Sequence, residues 1–135
     1  MRERVEALLA QARAHPEALA TPEIRHFNVG GVYLREMFMR AGSMVIGKLH
    51  LRDHAVLILG DVWVYDQAGL THYEGYHTLE CKAGVQRTLA AITDTWVTTV
   101  HSNLVGLDPD EFERVAVTED FRLLDAMRPA SALEH

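Results

Sequence analysis

Two periods alternate along this chain. Val5, Leu8, Leu9 and Ala12 recur at helical spacing, with Glu3, Arg4, Glu6, Gln11 and Arg13 on the other side. That pattern predicts an amphipathic helix, which Pro16 brings to an end. Its apolar stripe is narrow, so it needs a surface to lie on, either this domain's own sheet or a second subunit. From Phe27 the period shortens to two. Residues 29–39, 44–51, 55–59, 62–65, 72–79, 86–93 and 95–101 read as strands, the first interrupted near its start by Gly30-Gly31. Gly42-Ser43, Arg52-Asp53, Gly60-Asp61, Gly84 and Asp94 punctuate them, and Asp66-Gln67-Ala68-Gly69 reads as a hairpin turn. Short strands at such spacing predict an all-β sandwich or barrel. Trp63, Trp96, Val62, Val64, Leu57, Leu59, Ile92 and Val100 are its expected core.

Helical signals return near the end. Asp108 caps, Pro109 suits the first helical position, Glu111 completes a capping box, and Phe112 and Val115 form the apolar side. Thr118-Glu119-Asp120 starts a second short helix carrying Phe121, Leu124 and Met127, ended by Pro129. The expected organisation is an N-terminal helix and linker over 1–26, a β-barrel over 27–105 and short helices over 106–132. Residues 133–135 read as the remainder of an expression tag.

Composition narrows the class. The 135 residues, 48% of them hydrophobic, suffice for one domain with one sizeable core. A net charge of −6, with no run of lysine or arginine, argues against a nucleic-acid or anionic-membrane partner. The single cysteine, Cys81, allows no intrachain disulfide and fits a reduced, cytoplasmic setting. The N-terminus lacks the apolar stretch of a signal peptide, and no segment reaches the roughly 18 apolar residues of a membrane helix.

The stretch from Gly42 to Gly60 resembles the first motif of the cupin superfamily: a glycine, two histidines one residue apart, a glutamate about four residues on, and a closing glycine. His50 stands at the second histidine, Lys48 at the first, His54 at the glutamate, and Gly60 at the closing glycine. The second motif falls on Lys82-Ala83-Gly84-Val85-Gln86-Arg87, where Gly84 matches, Lys82 replaces the proline and Arg87 a histidine. Further stretches are similar to small cupin-like proteins of tailed phages and prophages: Gly31-Val32-Tyr33-Leu34-Arg35-Glu36, Gly47-Lys48-Leu49-His50, and Asp94 through His101. The resemblance implies a jelly-roll (double-stranded β-helix) barrel, pairing as a homodimer through its outer sheet, and a site inside the barrel. A non-catalytic oligomeric module of a phage particle is the alternative role.

Within that frame His50, His54 and His101 are candidate ligands for a divalent transition metal (iron, zinc, manganese or nickel). The plainer alternative is that they hydrogen-bond to backbone at strand ends. Glu36 is a candidate fourth ligand, the alternatives being an ion pair with Arg40 or Arg87, or exposure. Lys48 and Arg87, cations at ligand positions, suit a small acidic or sugar-like ligand, with Tyr33 a further candidate contact. His72, Tyr73, Tyr76 and His77 could supply acid–base chemistry but read mainly as a solvated strand. His15 and His26 read as surface or linker residues, and Cys81 as a buried small hydrophobe.

Overall fold

A computed structural model describes residues 2–14, 22–47, 49–103 and 106–118. The elements run α1 (Arg2–Ala14), β1 (Glu23–Val29), β2 (Val32–Met39), β3 (Met44–Ile46), β4 (Leu49–His50), β5 (His54–Asp66), β6 (Gly69–Cys81), β7 (Thr88–Ala91), β8 (Thr95–Ser102), α2 (Pro109–Ala116) and β9 (Val117–Thr118). Every strand pair is antiparallel. β5 pairs along its whole length with β6, through the hairpin closed by Asp66 and Gly69. Its other edge is divided. Ala55–Leu59 pair with β8, which continues to β2 and β1, while Val62–Tyr65 pair with β7, which continues to β3. Two arms thus leave one strand and curl around a shared interior, a jelly-roll half-barrel.

Gly60, between the two halves, makes the division possible. Its φ is +148°, and a Cβ there would lie 2.3 Å from Thr95 Oγ1 and 2.9 Å from Thr95 Cα. The chain around residues 91–95 tucks against this bend: the Asp61 carbonyl accepts from Ile92 N at 2.8 Å, and Asp61 N donates to Thr93 Oγ1 at 3.1 Å. Gly60-Asp61 was expected to end a strand. Instead the strand runs through it, because β6 holds the far edge in register on both sides.

Period-two alternation sorts the side chains. Met37, Val56, Ile58, Val62, Val64, Leu89 and Val97 face inward as the main core. Trp63 and Ala90 face outward, where Val5 and Leu9 of α1 cover them with help from Met44, Tyr65 and Leu70. The narrow stripe of α1 therefore lies on this chain's own sheet. The expected core is corrected on the other outer face: Leu59 is 52% exposed and Trp96 36%. Ile92, in the turn before β8, is exposed too. Leu59 and Trp96 lie opposite each other on neighbouring strands, on the face turned away from the interior.

β1 also departs from expectation, since residues 23–26 were assigned to a linker. It is an edge strand, exposed along nearly all its length, so its sequence carries no buried alternation. Gly30-Gly31 is the turn joining it to β2. α2 starts as expected, Asp108 Oδ1 accepting from Glu111 N at 2.9 Å. The expected second C-terminal helix and the tag remnant lie outside the described residues. Among the described residues no helix is long and apolar enough to cross a membrane.

Gly60→Ala is expected to destabilise the protein by about 3 kcal/mol, combining backbone strain with a clash against Thr95. Urea unfolding of the variant checks this; a loss under about 0.5 kcal/mol would mean the bend tolerates a side chain.

Candidate metal centre and cavity

The three candidate histidines reach one place from different elements. His50 ends the two-residue β4, held between β9 and the turn after β6: its carbonyl accepts from Gly84 N at 2.8 Å. Four residues later the chain enters β5 at His54. Asp53 anchors that corner, accepting from Ala83 N at 2.8 Å. His101 lies on β8, opposite Tyr33 of β2. Their ligand nitrogens all fall within 4.8 Å of one another.

The hydrogen bonds show which nitrogens remain. A carbonyl can only accept, so His54 Nδ1–H donates to Arg52 O at 2.9 Å, which leaves the Nε2 lone pair bare. His50 Nδ1 and His101 Nε2 share a hydrogen bond at 3.2 Å. His54 Nε2 and His101 Nδ1 are buried with no partner among the described residues. Each such atom costs about 1–3 kcal/mol unless something satisfies it. Nitrogen donors with open valence suit a borderline transition ion. The ring planes lie 12° to 20° from parallel, a stacked set rather than one fanned around a point.

The electrostatics keep all three rings neutral. Burial, then the neighbouring His54 and His101, then Arg87 and Arg35 push His50 down to about 2. Burial and then His54 push His101 down to about 4. Burial lowers His54 as well, opposed by its bond to Arg52.

Below the histidines lies an interior cavity of about 210 Å³. Tyr33, Arg35, Arg87 and Thr99 line it with Met37, Val56, Ile58, Val64, Leu89 and Val97, and Phe112 of α2 closes the histidine end. Phe112 stacks on Tyr33 at 4.3 Å and meets His101 edge-on at 5.2 Å. The Tyr33 hydroxyl is hydrogen-bonded to His26 Nδ1; His26 lies at the surface, as expected, on β1 and not in a linker.

The other expectations divide. Tyr33 and Arg87 line the cavity; Arg87 lies 3.9 Å from Asp66. Glu36 is a correction: it falls between the inward positions of β2, points to the opposite face and pairs with Arg25, not with Arg40, Arg87 or the histidines. Lys48 lies outside the described residues. On β6, His72 is held by Asp61 at 2.5 Å, and His77 donates to the Glu74 carbonyl at 2.9 Å, both away from the cavity. Tyr76 is 64% exposed. Cys81 is buried, as expected. Arg35 and Thr99 were not singled out from sequence. The signal available was their spacing of two from Tyr33 and His101.

Comparison with solved structures identifies the class of fold. A cupin superfamily protein from Desulfitobacterium hafniense superposes with a TM-score of 0.54 at 13% identity, covering 62% of this chain and 79% of that one. Salicylate 1,2-dioxygenase from Pseudoaminobacter salicylatoxidans, solved with gentisate, superposes at 0.53 and 13% identity. It covers 75% of this chain, which spans only 31% of the dioxygenase. A cupin 2 conserved barrel domain protein from Leptotrichia buccalis gives 0.53 at 10% identity. No family model and no curated protein matches the chain. This chain therefore has the cupin fold, with a three-histidine cluster inside it.

The neutral cluster fixes a pH dependence. The histidines ionise near 6.5 in the unfolded chain but only near 4 and near 2 at His101 and His50 when folded. Their contribution is therefore full above 6.5, and is lost as pH falls through that window because the unfolded chain takes up more protons. In EDTA, the unfolding free energy should be lower at about pH 5 than at about pH 7.5, and replacing both His50 and His101 by glutamine should flatten the difference. An unchanged slope in that double variant would contradict a neutral cluster.

Proposed function

We propose that this chain is a metal-binding cupin-like protein whose barrel takes a small acidic ligand beside a divalent transition ion. His50, His54 and His101 would hold the ion, which is iron, zinc, manganese or nickel by ligand type. The observation that carries the reading is the pair of buried, partnerless imidazole nitrogens, His54 Nε2 and His101 Nδ1, within one histidine cluster. A bound ion of this kind supplies Lewis acidity toward a ligand oxygen. The chain's own residues do the rest. The Arg52 carbonyl fixes the tautomer of His54, Phe112 shields the histidine end from water, and the apolar wall admits only a small body. The dioxygenase of similar fold was solved with gentisate, an acid, which agrees with a cationic cavity wall.

Protein purified without a nickel column, stripped and re-exposed to each metal, should take up about one equivalent of at least one of them and melt at higher temperature. Ala in place of both His50 and His101 should abolish uptake. Less than about a tenth of an equivalent of every metal would defeat the proposal.

A second reading, the non-catalytic homodimer, draws on the outer face of the sheet. Phe38, Trp96, Leu59 and Tyr76 form one row across β2, β8, β5 and β6, in which Leu59 and Tyr76 are strongly exposed and Trp96 partly so. Pairing of two copies would cover it. The mass in solution should be twice that of the chain, and Leu59→Glu should halve it; a monomeric wild type rules the dimer out.

A further inference from the structure

The cavity contains a cation that no carboxylate among the described residues neutralises. Arg2, Arg25, Arg40 and Arg87 each meet a carboxylate: Glu6, Glu36, Glu23 and Asp66. Arg35 does not, among the described residues. Burial holds its guanidinium below the usual range, and the Tyr33 phenol lies close enough to act on it. Desolvating a charge without a counter-ion is costly, so such a group is retained where something else supplies the counter-charge. Glu113 of α2 also lines the cavity, but it is engaged in an interaction of its own.

Strand register gives the position. Tyr33 faces His101 across β2 and β8, Arg35 faces Thr99 one step further in, and Met37 faces Val97 beyond that. Thr99 in turn lies opposite Val56, and Val97 opposite Ile58. Inward positions two residues apart are about 7 Å from each other along a strand. The interior is therefore layered: histidines at the α2 end, then Arg35 with the Thr99 hydroxyl, then an apolar floor. A guanidinium offers a carboxylate two parallel hydrogen bonds, and the neighbouring hydroxyl can add a third. The floor of Met37, Ile58 and Val97 offers nothing polar, so it rejects a sugar and accepts hydrocarbon. At about 210 Å³ the cavity is smaller than the ~300 Å³ at which ordinary ligand pockets begin, so the occupant is small.

We propose that Arg35 is the specificity-determining residue of the cavity, anchoring the carboxylate of a small apolar monocarboxylic acid whose hydrocarbon body fills the floor beneath it. This deepens the small-acid part of the proposed function and does not depend on the metal. Arg87 stands near Asp66 and contributes less.

Calorimetric titration of EDTA-stripped protein with benzoate and with its neutral isostere benzamide tests it, repeated after metal addition. Wild type should bind benzoate at least about tenfold more tightly than benzamide. Arg35→Met should weaken benzoate about tenfold or more while leaving benzamide unchanged, and Arg87→Met should weaken it less. If Arg35→Met does not fold, Arg35→Lys serves: benzoate should weaken while its preference over benzamide survives. The proposal is overturned if wild type binds the two probes equally or binds neither. It is overturned equally if the folded Arg35 variant, Met or Lys, binds benzoate as wild type does. Selective benzoate binding by protein that takes up no metal would end the metal reading and leave this one standing.

Discussion

Much of this structure depends on β5 passing unbroken through Gly60 while its neighbours on one edge change from β8 to β7. At that point the Thr95 side chain occupies the space a Cβ would need. If the strand ended at Gly60, two separate sheets would form and no interior would lie between them. Because it continues, the even-numbered residues from Val56 to Val64 keep facing one way, and the two arms enclose a shared core.

The same continuity places the chemistry. His54 is the first residue of β5 and His101 lies near the end of β8, so the pairing of these strands brings the two rings to one end of the barrel. His50 is delivered differently, by a two-residue strand and a corner whose backbone bonds to the turn after β6. That end of the barrel is buried, with two arginines near the rings. Burial of imidazoles beside Arg35 and Arg87 favours their neutral form, the form that binds a metal. Above the apolar floor of the cavity, a neutral histidine cluster thus stands over a guanidinium with no carboxylate partner among the described residues.

Parts of the site were legible in the sequence. His50 and His54 stood out by motif position, and His101 by its place on a late strand. Tyr33 and Arg87 were found the same way. Arg35 was overlooked because Val32–Met39 is apolar on both faces: Tyr33, Met37 and Met39 on one, Leu34 and Phe38 on the other. With no polar face to set the phase, the sequence leaves open which of Arg35 and Glu36 points inward; Arg35 lines the cavity and Glu36 faces away. The same ambiguity put Leu59 and Trp96 in the expected core.

Local chemistry decided whatever depends on near neighbours in the chain. The two helices, the Asp108 cap, the Asp66–Gly69 hairpin and the run of short strands follow from residue spacing, turn residues and capping side chains, whose interactions span only a few residues. Tertiary structure decided which edge each half of β5 presents, which face of β2 turns inward, and that α1 covers Trp63 on its own sheet. It also decided that Arg35 has no carboxylate partner among the described residues. These are relations between segments tens of residues apart, fixed by which pairing buries apolar surface on both sides at once, and no local pattern records that choice.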